Sequence, residues 1–261
     1  MSTWVLLRGL MRESRHWGEF PALFQNAMDG QALVTVDFPG NGSLHAQTSA
    51  GSVEGMVSDA RTQLRQLGYV PPYRLLALSL GAMVAVAWCE RYPQELEKLV
   101  LINTSLSPYN PFYLRLRPKN YFALMLLLYG SIAQRERLIL RLTSRRSHTE
   151  NLQAILLQWI AYAEEYPVSR ANILRQLRAA FSYRARQSVP ATPVLLLAGQ
   201  KDQLVNVRCS LTLAQHWHCA IRLHPDAGHD LPLDDSVWVI EQVKKWLVYD
   251  MQQSRDELTE A

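Results

Sequence analysis

One stretch decides the fold of this 261-residue chain: Leu75-Leu76-Ala77-Leu78-Ser79-Leu80-Gly81-Ala82-Met83-Val84-Ala85. Four apolar residues precede Ser79 and an alanine- and valine-rich segment follows it, which predicts a buried strand, a sharp turn and a helix. Ala77 and Gly81 are small, as a strained turn requires where a strand end and a helix start nearly touch. A buried small residue at an ordinary strand–helix junction would also fit this pattern.

The predicted turn would lift the Ser79 hydroxyl above the sheet, beside the N–H groups that begin the helix. The N–H of Leu80 has no partner within the helix and lies at the positive end of the helix dipole. An oxygen that becomes negatively charged beside Ser79 would be stabilised there. The stretch therefore favours a serine nucleophile with an adjacent oxyanion site.

The composition is that of an ordinary globular protein, with 48% apolar and 19% charged residues. Cys89, Cys209 and Cys219 are odd in number and lack the spacing of a metal site, so they predict reduced thiols and a cytoplasmic location. The N-terminal residues have no basic leader and no long apolar core, so no signal peptide is predicted. The longest apolar run, residues 121–133, is shorter than the about 20 residues that cross a bilayer, so no stable membrane insertion is expected.

Short apolar strands alternate with helical segments along most of the chain. The predicted strands are 4–7, 32–38, 75–78, 99–102, 193–198 and 220–223, and the predicted helices are 17–25, 53–67, 80–92, 208–217 and 236–248. This alternation predicts an α/β protein with a mostly parallel six-stranded sheet covered on both faces. Between the fourth and fifth strands only helical patterns occur. We therefore predict a core of residues 1–106 and 190–261 with a helical cap, residues 107–189, inserted in it.

A serine nucleophile needs a histidine to take its proton and a carboxylate to orient that histidine. In an open α/β sheet such groups lie in loops at the carboxyl ends of strands. Asp202 follows the fifth predicted strand and His229 follows the sixth. The order Ser79, Asp202, His229, with each residue after a different strand, predicts a catalytic triad. Asp226 and Asp230 flank the histidine and are alternatives for the orienting carboxylate.

With these residues the chain resembles the α/β-hydrolase superfamily over nearly its whole length. The other matching segments are Arg8-Gly9-Leu10, Asp37-Phe38-Pro39-Gly40-Asn41-Gly42, Ala198-Gly199-Gln200-Lys201-Asp202-Gln203-Leu204-Val205 and Ala227-Gly228-His229. The resemblance implies Ser79 as the nucleophile, His229 as the general base and then acid, and Asp202 as its orienting acid. It implies an oxyanion hole formed by the backbone N–H groups of Leu10 and Leu80, and no cofactor or metal.

Three features depart from the family pattern. Ala77 stands where glycine is usual, which is sterically acceptable. Arg8 stands where histidine is common, but the oxyanion hole should survive because its donor is a backbone N–H. The first predicted strand matches the one that is usually third, so we expect a sheet without the antiparallel strands that commonly precede it, and therefore an all-parallel one. Serine at position 79 also excludes the members of the superfamily that attack with aspartate, the haloalkane-dehalogenase-like and epoxide-hydrolase-like enzymes.

The predicted cap carries two properties that bear on the substrate. Its apolar residues either dock the cap onto the sheet or line a substrate pocket, and the candidates for substrate contact are Arg8, Phe112, Tyr113, Phe122 and Met125. Residues 107–187 hold thirteen Arg and Lys against four Glu, a net charge of +9, so the rest of the chain carries −5. A basic lid would steer an anionic small acid, an acyl-CoA or an acyl carrier protein toward the cleft. Nucleic acid is not expected, because no binding motif is present.

We interpret the sequence as that of a cytoplasmic serine hydrolase that cleaves a carboxylic ester through an acyl-enzyme intermediate. A thioesterase, a lactonase, a carbon–carbon bond hydrolase or an acyl-carrier-protein methyl ester esterase could use the same triad. The organisation is similar to that of the pimeloyl-carrier-protein methyl esterases of biotin synthesis, and Arg141, Arg145 and Arg146 would then contact the carrier. A non-catalytic ligand-binding protein that retains the fold is the alternative from another class.

Overall fold

The computed structural model of the protein describes the backbone of residues 2–145 and 150–259 and the side chains of residues 2–145 and 152–249. Its six strands are β1 (Thr3–Leu7), β2 (Leu33–Val36), β3 (Tyr73–Leu78), β4 (Leu96–Ile102), β5 (Val194–Gly199) and β6 (Ala220–His224). They form one sheet in the order β2-β1-β3-β4-β5-β6, and every neighbouring pair is parallel. The predicted six-stranded parallel sheet is confirmed.

β4 and β2 differ most in length from the prediction, each by three residues. β4 begins three residues early, because Leu96 and Lys98 pair with the start of β3 although the segment is partly polar. β2 ends at Val36 instead of residue 38. Asp37 leaves the strand there, and its carboxylate accepts hydrogen bonds from the backbone N–H and the hydroxyl of Ser14, each at 2.7 Å.

Helices cover both faces of the sheet. Those of the core are α1 (Phe20–Ala27), α2 (Val53–Gln66), α3 (Leu80–Arg91), α9 (Arg208–Trp217), the single turn α10 (Leu231–Asp234) and α11 (Ser236–Thr259). The helix expected over residues 17–25 begins only at Phe20, because Gly18 ends a preceding 3-10 turn with a φ of 57°. No helix in the described part of the chain is both long enough and apolar enough to cross a membrane.

The sheet is buried on both faces, and alternate residues of each strand enter different cores. In β1, Val5 and Leu7 pack with α2, α3 and α9, whereas Trp4 and Leu6 pack with α1 and α11. All four side chains are fully buried. A strand with two apolar faces reads as a continuous apolar run, which is why the strands could be recognised from the sequence.

A helical insertion lies between β4 and β5. It contains α4 (Phe112–Arg115), α5 (Tyr121–Tyr129), α6 (Ile132–Thr143), α7 (Glu150–Glu165) and α8 (Arg170–Ser182). The chain leaves and re-enters the core at one place, where the backbone N–H of Ala185 donates to the carbonyl of Ser107 at 2.7 Å. These helices all fall within the predicted cap, residues 107–189.

Helix α8 attaches the insertion to the core through two buried amides. The Gln176 side chain accepts from the N–H of Met11 at 3.0 Å and donates to Asn41 Oδ1 at 2.9 Å. The Asn172 side chain accepts from the N–H of Ser49 at 3.0 Å. Because each amide contacts loops of the core, the position of α8 above the sheet is set by hydrogen bonds as well as by apolar packing.

The end of β1 passes directly against the start of α3. A Cβ atom on Gly81 would lie 2.5 Å from the carbonyl oxygen of Leu7 and 2.6 Å from that of Arg8. The sequence argument attributed the small residue at this position to contact between β3 and α3. The structure instead assigns the constraint to the backbone of β1, which leaves no room for a side chain.

We predict that Gly81→Ala lowers the free energy of unfolding by about 1–3 kcal/mol, the usual cost of overpacking a tight core. Alanine ordinarily stabilises a helix relative to glycine by about 1 kcal/mol, so a loss would report the clash itself. Gly51→Ala is the control, because no atom lies within 4 Å of its added Cβ. Urea unfolding of both variants is the measurement, and equal stability would contradict the constraint.

Candidate active site

Ser79 occupies the turn between β3 and α3 with a φ of 57° and a ψ of −113°. A positive φ is unfavourable for a residue with a Cβ and needs support from its surroundings. Its N–H donates to the carbonyl of Ile102 in β4 at 3.0 Å, and its carbonyl accepts from the N–H of Ala82 at 3.0 Å. The neighbouring strand and the first helical turn therefore hold the serine in this conformation.

Asp202 and His229 meet across the loops that follow β5 and β6. The imidazole Nδ1 lies 2.7 Å from Asp202 Oδ2, and both side chains are buried. The other carboxylate oxygen accepts from the N–H groups of Leu204 at 2.7 Å and Val205 at 3.0 Å. Because Asp202 engages Nδ1, it holds the ring in the tautomer that leaves Nε2 to accept a proton.

The electrostatic surroundings favour the protonated form of His229. Burial works against the charged imidazole, but the negative charge of Asp202 and its hydrogen bond outweigh that effect, with a further contribution from Asp230. The positive charge of Arg8 lowers the pKa of His229. The net result is that the pKa of His229 is raised above the ordinary value of 6.5.

Arg8, a candidate for substrate contact, and Asp230, a candidate for the orienting carboxylate, form an ion pair beside this site. Arg8 donates to both carboxylate oxygens of Asp230, at 3.1 Å and 2.6 Å, and both side chains are almost completely buried. The guanidinium also lies 4.7 Å from the ring centre of Trp17. Asp230 is thus engaged with Arg8, whereas Asp226 is exposed and lies 3.6 Å from Lys201. Of the three candidate carboxylates, Asp202 contacts the imidazole of the histidine.

The segment after β1 lies against the serine. A Cβ on Gly9 would be 3.2 Å from the Cβ of Ser79, and Leu10 and Leu80 both line the cavity beside it. The next residue, Met11, is tied to α8 through its N–H. The two residues whose N–H groups were expected to form an oxyanion hole therefore both lie in the wall of the cavity that Ser79 lines.

A cavity of about 190 Å³ separates the serine turn from the insertion. Ser79 and His229 lie at its base, and its wall is mostly apolar, with contributions from α4, α5, α6, α7 and α8. The insertion residues in the wall are Phe112, Arg115, Leu116, Leu124, Leu127, Ile139, Leu142, Thr143, Trp159, Leu177, Ala180 and Phe181. An enclosure of this kind suits an apolar or partly apolar organic molecule.

Only some of the residues expected to contact substrate line the cavity. Phe112 and Arg8 line the cavity, but Tyr113, Phe122 and Met125 do not. Phe122 is 88% exposed. Helix α5 turns Leu124 and Leu127 toward the cavity instead; because this helix is apolar on all sides, its sequence could not indicate which face is buried.

Asn103 is a positioning residue that sequence reasoning missed. It follows β4, is 3% exposed and has a φ of 47°. Its Nδ2 donates to the carbonyls of Gly228 at 3.0 Å and His229 at 2.7 Å, and its Oδ1 accepts from the N–H of Gly199 at 2.9 Å. One amide thus joins the loops after three neighbouring strands. The sequence signal that could have indicated this role is an asparagine directly after a buried strand, because asparagine tolerates a positive φ.

In the part of the chain that the structure describes, no group of three or more His, Cys, Asp and Glu side chains could hold a metal ion.

A family model for the alpha/beta hydrolase family matches residues 4–242. The chain belongs to this family and is a hydrolase of the α/β type. The enol-lactonase from Burkholderia xenovorans LB400 has a similar structure, with a TM-score of 0.77 and 16% identity over 95% of this chain and 91% of that chain. A thermophilic esterase from Thermogutta terrifontis has a TM-score of 0.70 and 18% identity over 95% of this chain and 90% of that chain.

A curated relative matches part of the chain. The biotin biosynthesis bifunctional protein BioHC of Teredinibacter turnerae is 28% identical over 117 residues, which are 44% of this chain and 18% of that protein. The matched region is thus less than a fifth of the relative's length. The two similar structures have less than 25% identity and establish the fold alone.

We predict that Asn103→Ala lowers the free energy of unfolding by about 1–3 kcal/mol, because one buried N–H and two buried carbonyls lose their partner. Asn26→Ala is the control, since Asn26 is exposed on α1 and should change stability by less than about 0.5 kcal/mol. Denaturant unfolding measures both. Equal stability of the two variants would show that the three loops do not depend on this amide.

Proposed function

We propose that the protein is a serine esterase that hydrolyses a carboxylic ester through an acyl-enzyme intermediate. The observation that carries this proposal is the buried 2.7 Å contact between His229 and Asp202 at the base of the cavity that Ser79 also lines. Serine, histidine and aspartate in these roles form the usual machinery of acyl transfer. A carboxylic ester is the simplest substrate for it.

In the proposed first half-reaction, the hydroxyl oxygen of Ser79 attacks the ester carbonyl carbon while His229 Nε2 accepts the hydroxyl proton. The carbonyl oxygen becomes negatively charged and accepts hydrogen bonds from the N–H groups of Leu10 and Leu80. The intermediate then collapses, the carbon–oxygen bond to the alcohol breaks, and the imidazolium gives its proton to the departing oxygen. Asp202 keeps the ring oriented and stabilises its charged form.

In the second half-reaction, a water molecule takes the place of the alcohol. His229 accepts one proton of that water as the oxygen attacks the acyl carbon of the enzyme ester. The same two N–H groups stabilise the second oxyanion. Collapse of this intermediate releases the carboxylic acid, and the proton returns to Ser79, so the enzyme is regenerated without a cofactor.

A thioester, a lactone or a carrier-bound methyl ester could react by the same steps, and the mostly apolar cavity wall supports an organic acyl group in each case. The partial similarity to BioHC and the basic insertion support a carrier-bound acyl group as the second candidate. Arg141 and Arg145 are exposed, as contact with a carrier would require, and Arg146 lies outside the described residues. We place the reaction in the cytoplasm, since the three cysteines are free thiols.

A fluorophosphonate probe tests the proposed nucleophile directly. Intact mass spectrometry should show one adduct per chain, and Ser79→Ala should abolish it because the proposed nucleophile is then missing. Replacing Ser105, the other serine in the cavity wall, should leave one adduct. Failure of the unsubstituted protein to react would favour a non-catalytic ligand-binding protein, and labelling of Ser79→Ala would exclude Ser79 as the nucleophile.

The pH dependence of kcat/KM tests the role of His229. A general base must be neutral to accept a proton, so the rate should fall as the pH drops through a pKa above the ordinary 6.5. Asp230→Asn removes a charge that raises this pKa and leaves Arg8, which lowers it, without its partner. The acid limb of the profile should therefore move to lower pH.

Asp226→Asn is the matched control for this measurement. Asp226 also flanks His229 in the sequence, but its side chain is 79% exposed, and the carboxylates that raise the pKa of His229 are Asp202 and Asp230. Its acid limb should coincide with that of the unsubstituted protein. An acid limb that stays in place in Asp230→Asn, or moves to higher pH, would contradict the proposed electrostatics.

A further inference from the structure

Arg115 is a half-buried cation in the wall of the cavity. It ends α4, and its Nη2 donates to the carbonyl of Ala180 at 2.6 Å. Its Nε is buried and has no partner. Within the described residues no carboxylate pairs with it. The other two arginines of the wall differ, because Arg8 pairs with Asp230 and Arg12 pairs with Glu136 at 2.6 Å.

The missing partner matters because a guanidinium has five N–H donors and stays charged. Removal from water is costly for a charge that has no counter-charge. Burial lowers the pKa of Arg115, and no carboxylate offsets that effect. A cation in such a wall is stabilised when an anion enters the cavity, and a carboxylate matches the guanidinium with two parallel hydrogen bonds.

Backbone hydrogen bonds hold Arg115 in a fixed relation to the triad. The N–H of Asn206 donates to the carbonyl of Leu114, and the N–H of Arg117 donates to the carbonyl of Leu204, both at 2.9 Å. The same Leu204 donates its own N–H to Asp202. The segment that carries Arg115 is therefore attached to the loop that carries the orienting acid, and a group in fixed geometry is suited to recognise a substrate.

We infer that Arg115 binds a carboxylate on the substrate, so that the preferred substrates are esters that also carry a free carboxylate. This inference rests on the proposed esterase function and names its substrate class. The net charge of +9 over residues 107–187 would draw such an anion toward the cavity, and Arg115 would bind it there. The remaining wall is mostly apolar and would accommodate the carbon chain between the carboxylate and the ester.

Two matched substrate series test the inference. Mono-p-nitrophenyl esters of dicarboxylic acids, from succinic to suberic acid, carry the carboxylate on the acyl side. The 4-carboxyphenyl ester of butyric acid carries it on the alcohol side. In each series the control substrate has that carboxylate capped as a methyl ester. The measured quantity is the selectivity, which is the kcat/KM of the free carboxylate divided by that of the capped form.

Arg115→Met should lower the selectivity by about 10- to 100-fold, the range expected for the loss of a hydrogen bond between charged groups. Arg115→Lys keeps the charge but cannot donate two parallel hydrogen bonds to a carboxylate. Its selectivity should therefore lie between that of Arg115→Met and that of the unsubstituted protein. Arg178→Met is the matched control, because it removes one positive charge from an exposed position on α8 outside the cavity wall. Its selectivity should equal that of the unsubstituted protein.

The substrate series in which Arg115→Met lowers the selectivity also shows whether the acyl part or the alcohol part of the ester carries the carboxylate. A preference for the capped form in both series, or an equal selectivity in Arg115→Met and the unsubstituted protein, would overturn the inference while leaving the esterase function intact. If no ester is hydrolysed, the esterase function fails and calorimetric titration with the free dicarboxylic acids decides the carboxylate site. Binding lost in Arg115→Met would support that site, and binding that is absent or unchanged by the substitution would overturn it.

Discussion

The close approach of β1 to α3 is the constraint on which the rest of the site depends. Because a Cβ on Gly81 would lie only 2.5 Å from the carbonyl oxygen of Leu7 and 2.6 Å from that of Arg8, the two elements meet backbone to backbone. This approach brings the segment after β1 against Ser79 and places Leu10 beside the serine turn. A bulkier residue at Gly81 would push β1 and α3 apart and widen the site.

The site also depends on buried polar contacts between loops that are far apart in the sequence. Asn103 ties together the loops after β4, β5 and β6, and the Arg8–Asp230 ion pair connects the loop after β1 to the residue next to His229. Buried polar networks are stabilising only when most of their members are satisfied. Among the described side chains no carboxylate pairs with Arg115, which lines the cavity.

The fold and the triad candidates were largely predictable from local patterns. The inner strands β1, β3, β4 and β5 are mostly buried on both faces and are apolar runs in the sequence. Ser79 has the small residues Ala77 and Gly81 two positions before and after it. Local sequence patterns could not predict which face of helix α5 is buried. Its residues are apolar on every side, so Phe122 and Leu124 are equivalent in the sequence although the first is exposed and the second lines the cavity.

The sequence by itself determined the order of strands and helices, the serine turn and the loops that carry Asp202 and His229, because each of these depends on residues that are close together in the chain. Only the tertiary structure decided that Arg8 pairs with Asp230, that Asn103 supports the histidine loop and that Arg115 has no acidic partner among the described residues. These features depend on distances between residues separated by tens to hundreds of positions, which packing sets and local sequence does not encode.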